Sequence, residues 1–527
     1  MSTSTKNPTL SSLPSGWEWT TLDDLRANEP NALTDGPFGS NLKSSDYVST
    51  GIRVIRLGNI GVDSFQDDNK SYITEKKFEG LRKHEAFSGD LVIAALAEPV
   101  GRACEVPFGL GPAIVKADCI RFRPHPSVLG RFVLHALNSP QGKKRAEASS
   151  HGIGRLRINL DNLRNLPLPL APALEQGRIV TKLESLLARS RRAKEALDTI
   201  PALLERLRQS ILTAAFQGDL TTDWRAHHPD VEPASKLLER IRAERRRRWE
   251  EAELEKMRAK GNPPKNDSWK AKYEEQAPID FGSLPALPEK WCWASVDDLL
   301  PATEPICYGV VQPGSETEGG IPLVRVCDLV EGTVEMKQLR TISAAVDEEY
   351  ARSRLNGGEV LISVVGTIGR VSIAPPEARG ANIARAVARL SFTSSIPVNW
   401  AASWLSGTYM QDRLNRDARE VARKTLNLST LQRAPVPLAP VEEMSMLAAI
   451  IVRSIESARR LEATHKAIQQ TADTLEPALL AKAFRGELVP QDPNDEPASV
   501  LLERIRAERE ATAGSAPKRP RGRRPAA

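Results

Sequence analysis

The sequence predicts an α+β fold written twice. Two globular domains of short strands and helices are each followed by one long helix, in an internal pseudo-twofold repeat. Three observations predict it. Landmarks recur at nearly constant offset. Glycine-bounded β-like runs fall at matching places in both copies. Each copy then enters a long segment with a helical hydrophobic period.

Leu13-Pro14 with Trp17, Trp19, Asp23, Asp24 and Leu25 returns 274 residues later as Leu287-Pro288, Trp291, Trp293, Asp297, Asp298 and Leu299. Leu166–Pro172 returns as Ala434–Pro440, and Ala215–Leu220 as Ala483–Leu488, both at 268. Glu232–Ser235 and Leu237–Arg245 return between Glu496 and Arg509, at 264. A duplicated unit of this length builds a pseudo-twofold molecule, suited to a target with two half-sites, which DNA commonly offers.

Within the first globular stretch, Arg53-Val54-Ile55-Arg56-Leu57 and Asp90-Leu91-Val92-Ile93-Ala94 read as strands bounded by glycines. The second copy supplies Leu323-Val324-Arg325-Val326 and Glu359-Val360-Leu361-Ile362-Ser363. Between these landmarks the copies diverge, so they share a frame but not a surface.

The long segments carry alternating 4,3 spacing, the period of a coiled-coil seam. In the first it runs through Ile179, Leu183, Leu186, Leu197, Ile200, Leu204, Leu207 and Ile211. In the second it runs through Leu447, Ile451, Leu461, Ile468, Leu475 and Leu479, with no insertion or deletion in register. The seam is the favoured reading over an amphipathic helix packed on its own domain. Pro201 and Pro477 are expected to kink the helices at unequal places, and Gly218 and Gly486 to stop them. Residues 232–276 are highly charged. Arg245-Arg246-Arg247-Arg248 among glutamates reads as a solvated helix face, followed by a turn at Gly261-Asn262-Pro263-Pro264.

The net charge of +6 owes +5 to Lys518, Arg519, Arg521, Arg523 and Arg524, so the body is near neutral and nucleic-acid affinity must come from local clustering. Five cysteines without C-x-x-C spacing read as reduced thiols of a cytoplasmic protein. Met1–Ser12 has no apolar core of a signal peptide, and no window reaches membrane-spanning length. Asn262-Pro263-Pro264-Lys265 lacks the aromatic residue that an adenine methyltransferase needs against a flipped base. There is no phosphate-binding G-x-x-x-x-G-K-[ST] loop and no histidine metal pattern. Trp17, Trp19, Trp291 and Trp293 are read as domain-edge packing rather than base-stacking platforms.

Four further features carry a family resemblance. They are Asp35-Gly36-Pro37-Phe38-Gly39-Ser40-Asn41-Leu42-Lys43, Gly366-Thr367-Ile368-Gly369-Arg370, Arg155–Leu160 leading through Pro167-Leu168-Pro169 to Glu175–Val180, and Ala215–Leu220. In this order, and duplicated, they resemble the DNA specificity subunit of type I restriction-modification systems. The second copy departs at Cys307-Tyr308-Gly309-Val310-Val311, which replaces the Asp-Gly-Pro-Phe-Gly loop, and at Glu442-Glu443-Met444, which replaces the Glu-Gln pair.

The resemblance implies a non-catalytic reader of a bipartite DNA target, with two target recognition domains separated by two long antiparallel coiled-coil helices. The expected layout is a disordered N-terminus at 1–12, recognition domains at 13–170 and 287–438, and spacer-helix regions with docking segments at 171–245 and 439–511. A charged linker at 246–286 and a disordered basic tail at 512–527 complete it. Implied partners are double-stranded DNA, a methyltransferase subunit in two copies and a motor-nuclease subunit in two copies. S-adenosylmethionine, ATP and Mg would lie on those partners; no cofactor, metal or membrane is expected for this chain. The docking surfaces would be the helices and the segments at Glu232 and Glu496. A stand-alone DNA-binding regulator or coiled-coil scaffold is the alternative, and would work without partners.

Arginine pairs with guanine and Asn or Gln with adenine, so polar residues in the glycine-rich loops are the DNA-contact candidates. These are Asn41, Lys43, Arg102, Arg155 and Arg157 in the first domain, and Thr367, Arg370, Arg385, Arg423 and Lys424 in the second. Phosphate contact is the commoner role for such residues. The tail resembles an AT-hook, with Arg521 and Arg523 about Gly522 as minor-groove candidates.

Overall fold

A computed structural model of the chain describes residues 12–152, 154–273, 275, 284–330, 332–420 and 424–514. It forms two compact units, residues 1–198 with 466–527, and residues 199–465. Each unit therefore takes one half of each long helix.

In the first unit, Glu18–Thr21 pairs antiparallel with Pro167–Leu170, placing Trp19 opposite Pro169. A four-stranded sheet follows the order Leu33–Asp35, Cys119–Phe122, Leu91–Ala94, Ala103–Glu105. A five-stranded sheet runs Tyr47–Val48, Tyr72–Ile73, Ile52–Ile55, Ala113–Val115, Glu85–Ala86. The predicted runs at 53–57 and 90–94 supply the strands Ile52–Ile55 and Leu91–Ala94. All four residues of each are buried, Arg53 included. Phe132, Leu134 and Leu168 form a core with Ile179, Leu183 and Leu187 of the first long helix, Ala173–Gln217. Phe484, Leu501, Leu502 and Ile505 from the C-terminal segment close it, and the Ala498 amide donates to the Gly16 carbonyl at 2.9 Å.

The second unit repeats this plan. Cys292–Ser295 pairs with Pro435–Leu438. A six-stranded sheet follows the order Cys307–Tyr308, Val387–Leu390, Val360–Ser363, Val371–Ile373, Thr333–Val334, Leu329–Val330. A three-stranded sheet runs Arg340–Ile342, Ile321–Val324, Asn382–Ile383. The core joins Trp400 and Trp404 to Leu447 and Ile451 of the second long helix, Val441–Ala483, and to Leu212 and Phe216. Leu237, Leu238 and Ile241 close it, and the Ala234 amide donates to the Lys290 carbonyl at 2.9 Å. The apolar faces of the segments at Glu232 and Glu496 are thus inside the chain's own cores.

The helix halves run antiparallel within each unit. In the first, Lys194 pairs with Asp473, and Gln469 Nε2 donates to Asp198 Oδ1 at 3.3 Å. In the second, Arg208 and Leu212 share a cleft with Ile455, Glu456 and Arg459. The seam divides by position. Ile179, Leu183, Leu204, Leu447 and Ile451 are buried; Leu186, Leu197, Ile200, Ile211 and Leu479 are half-buried. Leu207, Leu461, Ile468 and Leu475 are 49, 53, 48 and 44% exposed, against the seam expectation. At their ends the helices lie on a domain and need a wide apolar stripe, so Leu187, Leu212 and Leu480, one position later, are buried as well. Away from the ends, where one other helix lies opposite, much of the apolar row is open, although Leu204 is buried.

Both long helices continue through Pro201 and Pro477, so neither proline ends its helix. Gly218, at φ +78°, follows the first directly, and Gly486, at φ +73°, lies three residues past the second; the left-handed backbone suits a helix stop. Helix Ala234–Ala259 extends well into the segment expected as linker, and Trp269 stacks on Trp249 with ring centroids 6.1 Å apart. Arg245 departs from the solvated face: it donates to the Leu300 carbonyl and pairs with Asp297 at 3.0 Å. Arg246, Arg247 and Arg248 pair with Glu250, Glu251 and Glu244 along the exposed helix. No described helix is long and apolar enough to cross a membrane.

Candidate nucleic-acid interface

Three loops meet in the first unit. The first leaves strand Leu33–Asp35 as Gly36-Pro37-Phe38. A Cβ at Gly36 would stand 2.1 Å from the Lys116 carbonyl carbon, so only glycine lets the loop pass that backbone. Buried His84 holds the loop from behind, with Nδ1 donating to the Asp35 carbonyl at 2.5 Å; burial pushes its pKa below the usual imidazole range, which fits a neutral donor. The second loop, Ala95–Arg102, joins the third through a bridge between Leu96 and Arg157. Arg157 ties the third to the first. Its guanidinium lies 5.4 Å from the centre of the Phe38 ring and pairs with Asp118 at 2.7 Å. Asn41, Lys43 and Arg155 are exposed around this junction, and Phe38 is 42% exposed.

Arg102 is different. Its Nε donates to the Ile60 carbonyl at 2.7 Å, and its Nη atoms reach the Leu57, Ala97 and Pro99 carbonyls. Burial pushes its pKa down. This arginine shapes its loop from within, a correction to its place among the DNA candidates.

The second unit builds the same three-loop junction from other residues. Gly309 answers Gly36: a Cβ there would lie 1.7 Å from the Ile383 carbonyl oxygen. The departure at 307–311 therefore keeps the one residue the backbone requires and changes its neighbours. The Gly366 amide donates to the Lys424 carbonyl at 2.9 Å, and the Arg385 amide to Val310 at 2.9 Å. Thr367, Arg370, Arg385 and Lys424 are exposed there, with Tyr308 42% exposed beside them. Arg423, Arg521 and Arg523 lie outside the described residues.

The tryptophan landmarks pack rather than stack on solvent. Trp17 and Trp291 are buried, and their indole N–H groups donate to Glu175 at 3.1 Å and Glu443 at 2.9 Å. Glu443 is thus the retained counterpart of Glu175, and only Gln176 is replaced, by Met444. Nothing in the sequence signalled the glutamate–tryptophan link, since Glu442-Glu443-Met444 reads as a departure from the first copy. Phe38 and its arginine cap had no signal either. Cys104 and Cys119 are buried and unpaired, and burial pushes their thiols up to about 12, away from nucleophilic use.

The sequence model of the type I restriction modification DNA specificity domain matches residues 14–201. The chain is 34% identical over 394 residues to the type I restriction enzyme EcoBI specificity subunit of Escherichia coli, spanning 73% of each. It is 23% identical over 532 residues to the EcoKI specificity subunit of Escherichia coli strain K12, spanning 95% of this chain and 97% of that one. In fold it resembles the HsdS subunit from Thermoanaerobacter tengcongensis, with a TM-score of 0.55 at 18% identity over 91% of this chain and 99% of that one. A chain from a study of complex assembly and conformational transition of the type I R-M system gives 0.60 at 19% identity, over 91% and 100%. Paired recognition domains, each carried on half of a helix pair, define a two-module specificity protein. The chain belongs to the type I restriction-modification specificity subunits, the non-catalytic DNA target-recognition components of these systems.

Proposed function

We propose that this chain directs a type I restriction-modification complex to a split DNA target, the first unit reading one half and the second the other. The observation that carries this is the pair of three-loop junctions. Both rest on the same glycine-enforced frame, yet the first exposes Phe38, Asn41, Lys43 and Arg155 around Arg157, and the second exposes Tyr308, Thr367, Arg370, Arg385 and Lys424. An unchanged frame keeps the pose on DNA, while changed side chains change the bases read.

The helix pair sets the gap. The first helix has 45 residues, about 68 Å at about 1.5 Å per residue, ample to span successive major-groove faces about 34 Å apart. Two methyltransferase subunits modify adenine and two motor-nuclease subunits restrict unmodified DNA, bringing S-adenosylmethionine, ATP and Mg with them. The basic tail adds salt-sensitive, sequence-independent affinity.

The test is methylation sequencing of a methylation-free host expressing this chain with its neighbouring methyltransferase, and each alone. Two short methylated halves around a fixed gap, only when both are present, are expected. A soluble complex without methylation would favour a stand-alone regulator, and methylation by this chain alone would overturn the non-catalytic assignment.

A further inference from the structure

The first unit has a second polar cleft, at the end of its five-stranded sheet away from the three-loop junction. It encloses about 520 Å³ between strand Ile52–Ile55 and the loop Pro107–Pro112. Its floor is Arg53, whose side chain is only 4% exposed. Arg53 Nη2 donates to Asp67 Oδ1 at 3.0 Å, while Nε and Nη1 are buried without a partner. Its walls combine rings and charge: the Tyr72 ring centre lies 5.7 Å from the guanidinium, Phe65 and Phe108 line the cleft, and Lys70 pairs with the other oxygen of Asp67 at 2.8 Å. Phe108 stands at the loop tip, 99% exposed.

Neither feature is stable in isolation. A buried guanidinium with unmade hydrogen bonds and a fully solvated phenyl ring both carry a cost that an occupant would remove. The second unit shows the alternative. Its strand register puts Pro322 opposite Thr341 where the first unit puts Arg53 opposite Tyr72. The loop there is a short 3-10 turn, Pro376–Ala378, with Ala378 buried. At the matching place the second unit thus has Pro322 for the arginine and a buried Ala378 in its loop.

We propose that this cleft binds a nucleobase, stacked on Phe108 and Tyr72, with its acceptor atoms on Arg53 and a donor on Asp67. Flat π faces match the walls, and base edges supply the acceptors the arginine lacks together with N–H donors for the carboxylate. The inference deepens the DNA-reading function and rests on it for the base's source on a strand; a free nucleotide offers the same chemistry.

Photo-crosslinking of the full chain distinguishes the sources. The probes are random-sequence duplex and single-stranded DNA carrying 5-iodouracil, and free 8-azidoguanosine and 8-azidoadenosine monophosphate, with crosslinked peptides located by mass spectrometry. Crosslinks to residues 65–72 or 107–112 are expected, reduced about tenfold or more in Phe108→Ala, whose exposure leaves folding untouched, and also in Arg53→Met. Labelling by DNA makes the occupant a strand base; labelling by the azidonucleotides alone makes it a free nucleotide. Crosslinks confined to residues 36–43, 151–157 or the second unit would overturn the cleft while leaving DNA reading intact. Absence of any crosslink would overturn both.

Discussion

The two units fasten a tryptophan landmark to a long helix with a buried glutamate, and they load that glutamate differently. Glu175 accepts only the Trp17 indole, and its Oε1 is buried without a partner. Glu443 accepts from Trp291, from Thr221 Oγ1 at 2.6 Å and from Arg225 Nη1 at 2.6 Å. The geometry was duplicated with the sequence, while its energetics drifted apart. A retained landmark therefore marks a retained position, and the partners decide what it contributes.

The largest effect should come from breaking that asymmetry. Glu443→Ala strands Arg225 and Trp291 and is expected to cost the second unit about 3 kcal/mol, whereas Glu175→Ala costs about 1 kcal/mol. Urea unfolding followed by hydrogen exchange in each unit separates the two; equal losses would erase the comparison. Next are the matched glycines. Gly36→Ala and Gly309→Ala each drive a Cβ into backbone and should cost about 1–3 kcal/mol, with Gly309 the more sensitive because its approach is closer. A thermal melt unchanged in either variant would refute the shared frame.

A third pair sits at matching repeat positions. Arg102→Ala abandons four carbonyls and should destabilise by about 2 kcal/mol. Arg370→Ala, from an exposed site, should leave stability within about 0.5 kcal/mol and instead weaken DNA binding. The reverse ranking would return Arg102 to the reading surface. The smallest effect is one of sign. Burial raises the folded-state pKa of Glu175, so the contribution of its protonated form is present below the ordinary carboxyl range and lost as pH rises through the raised value. Glu175→Gln should therefore be neutral or mildly stabilising near neutral pH, with the difference vanishing near pH 4. Melting temperatures across that range check it, and a destabilised Gln variant at neutral pH would contradict it.

These contrasts also show what the sequence carried. Constant offsets located the repeated strands, the long helices and the glycines that follow them, because those features are set by local period and by backbone. Three things were not legible. Trp17 and Glu175 are far apart in sequence, and nothing in the offsets connects them. Arg102 and Arg157 both read as loop arginines, but one faces carbonyls and the other a phenyl ring, which depends on loops distant in sequence. The helix period gave a uniform seam, whereas burial follows whichever surface lies opposite, so Leu183 and Ile451 are covered and Leu461 and Ile468 are open.

The central claim is that each unit reads its own half of one DNA target. It is tested most directly by exchanging residues 287–433 for the corresponding stretch of a specificity subunit with a known target, then sequencing methylated DNA from cells that also express the methyltransferase. The account predicts that one half of the methylated motif changes while the other half and the gap are kept. A change in both halves, or in neither, would contradict it.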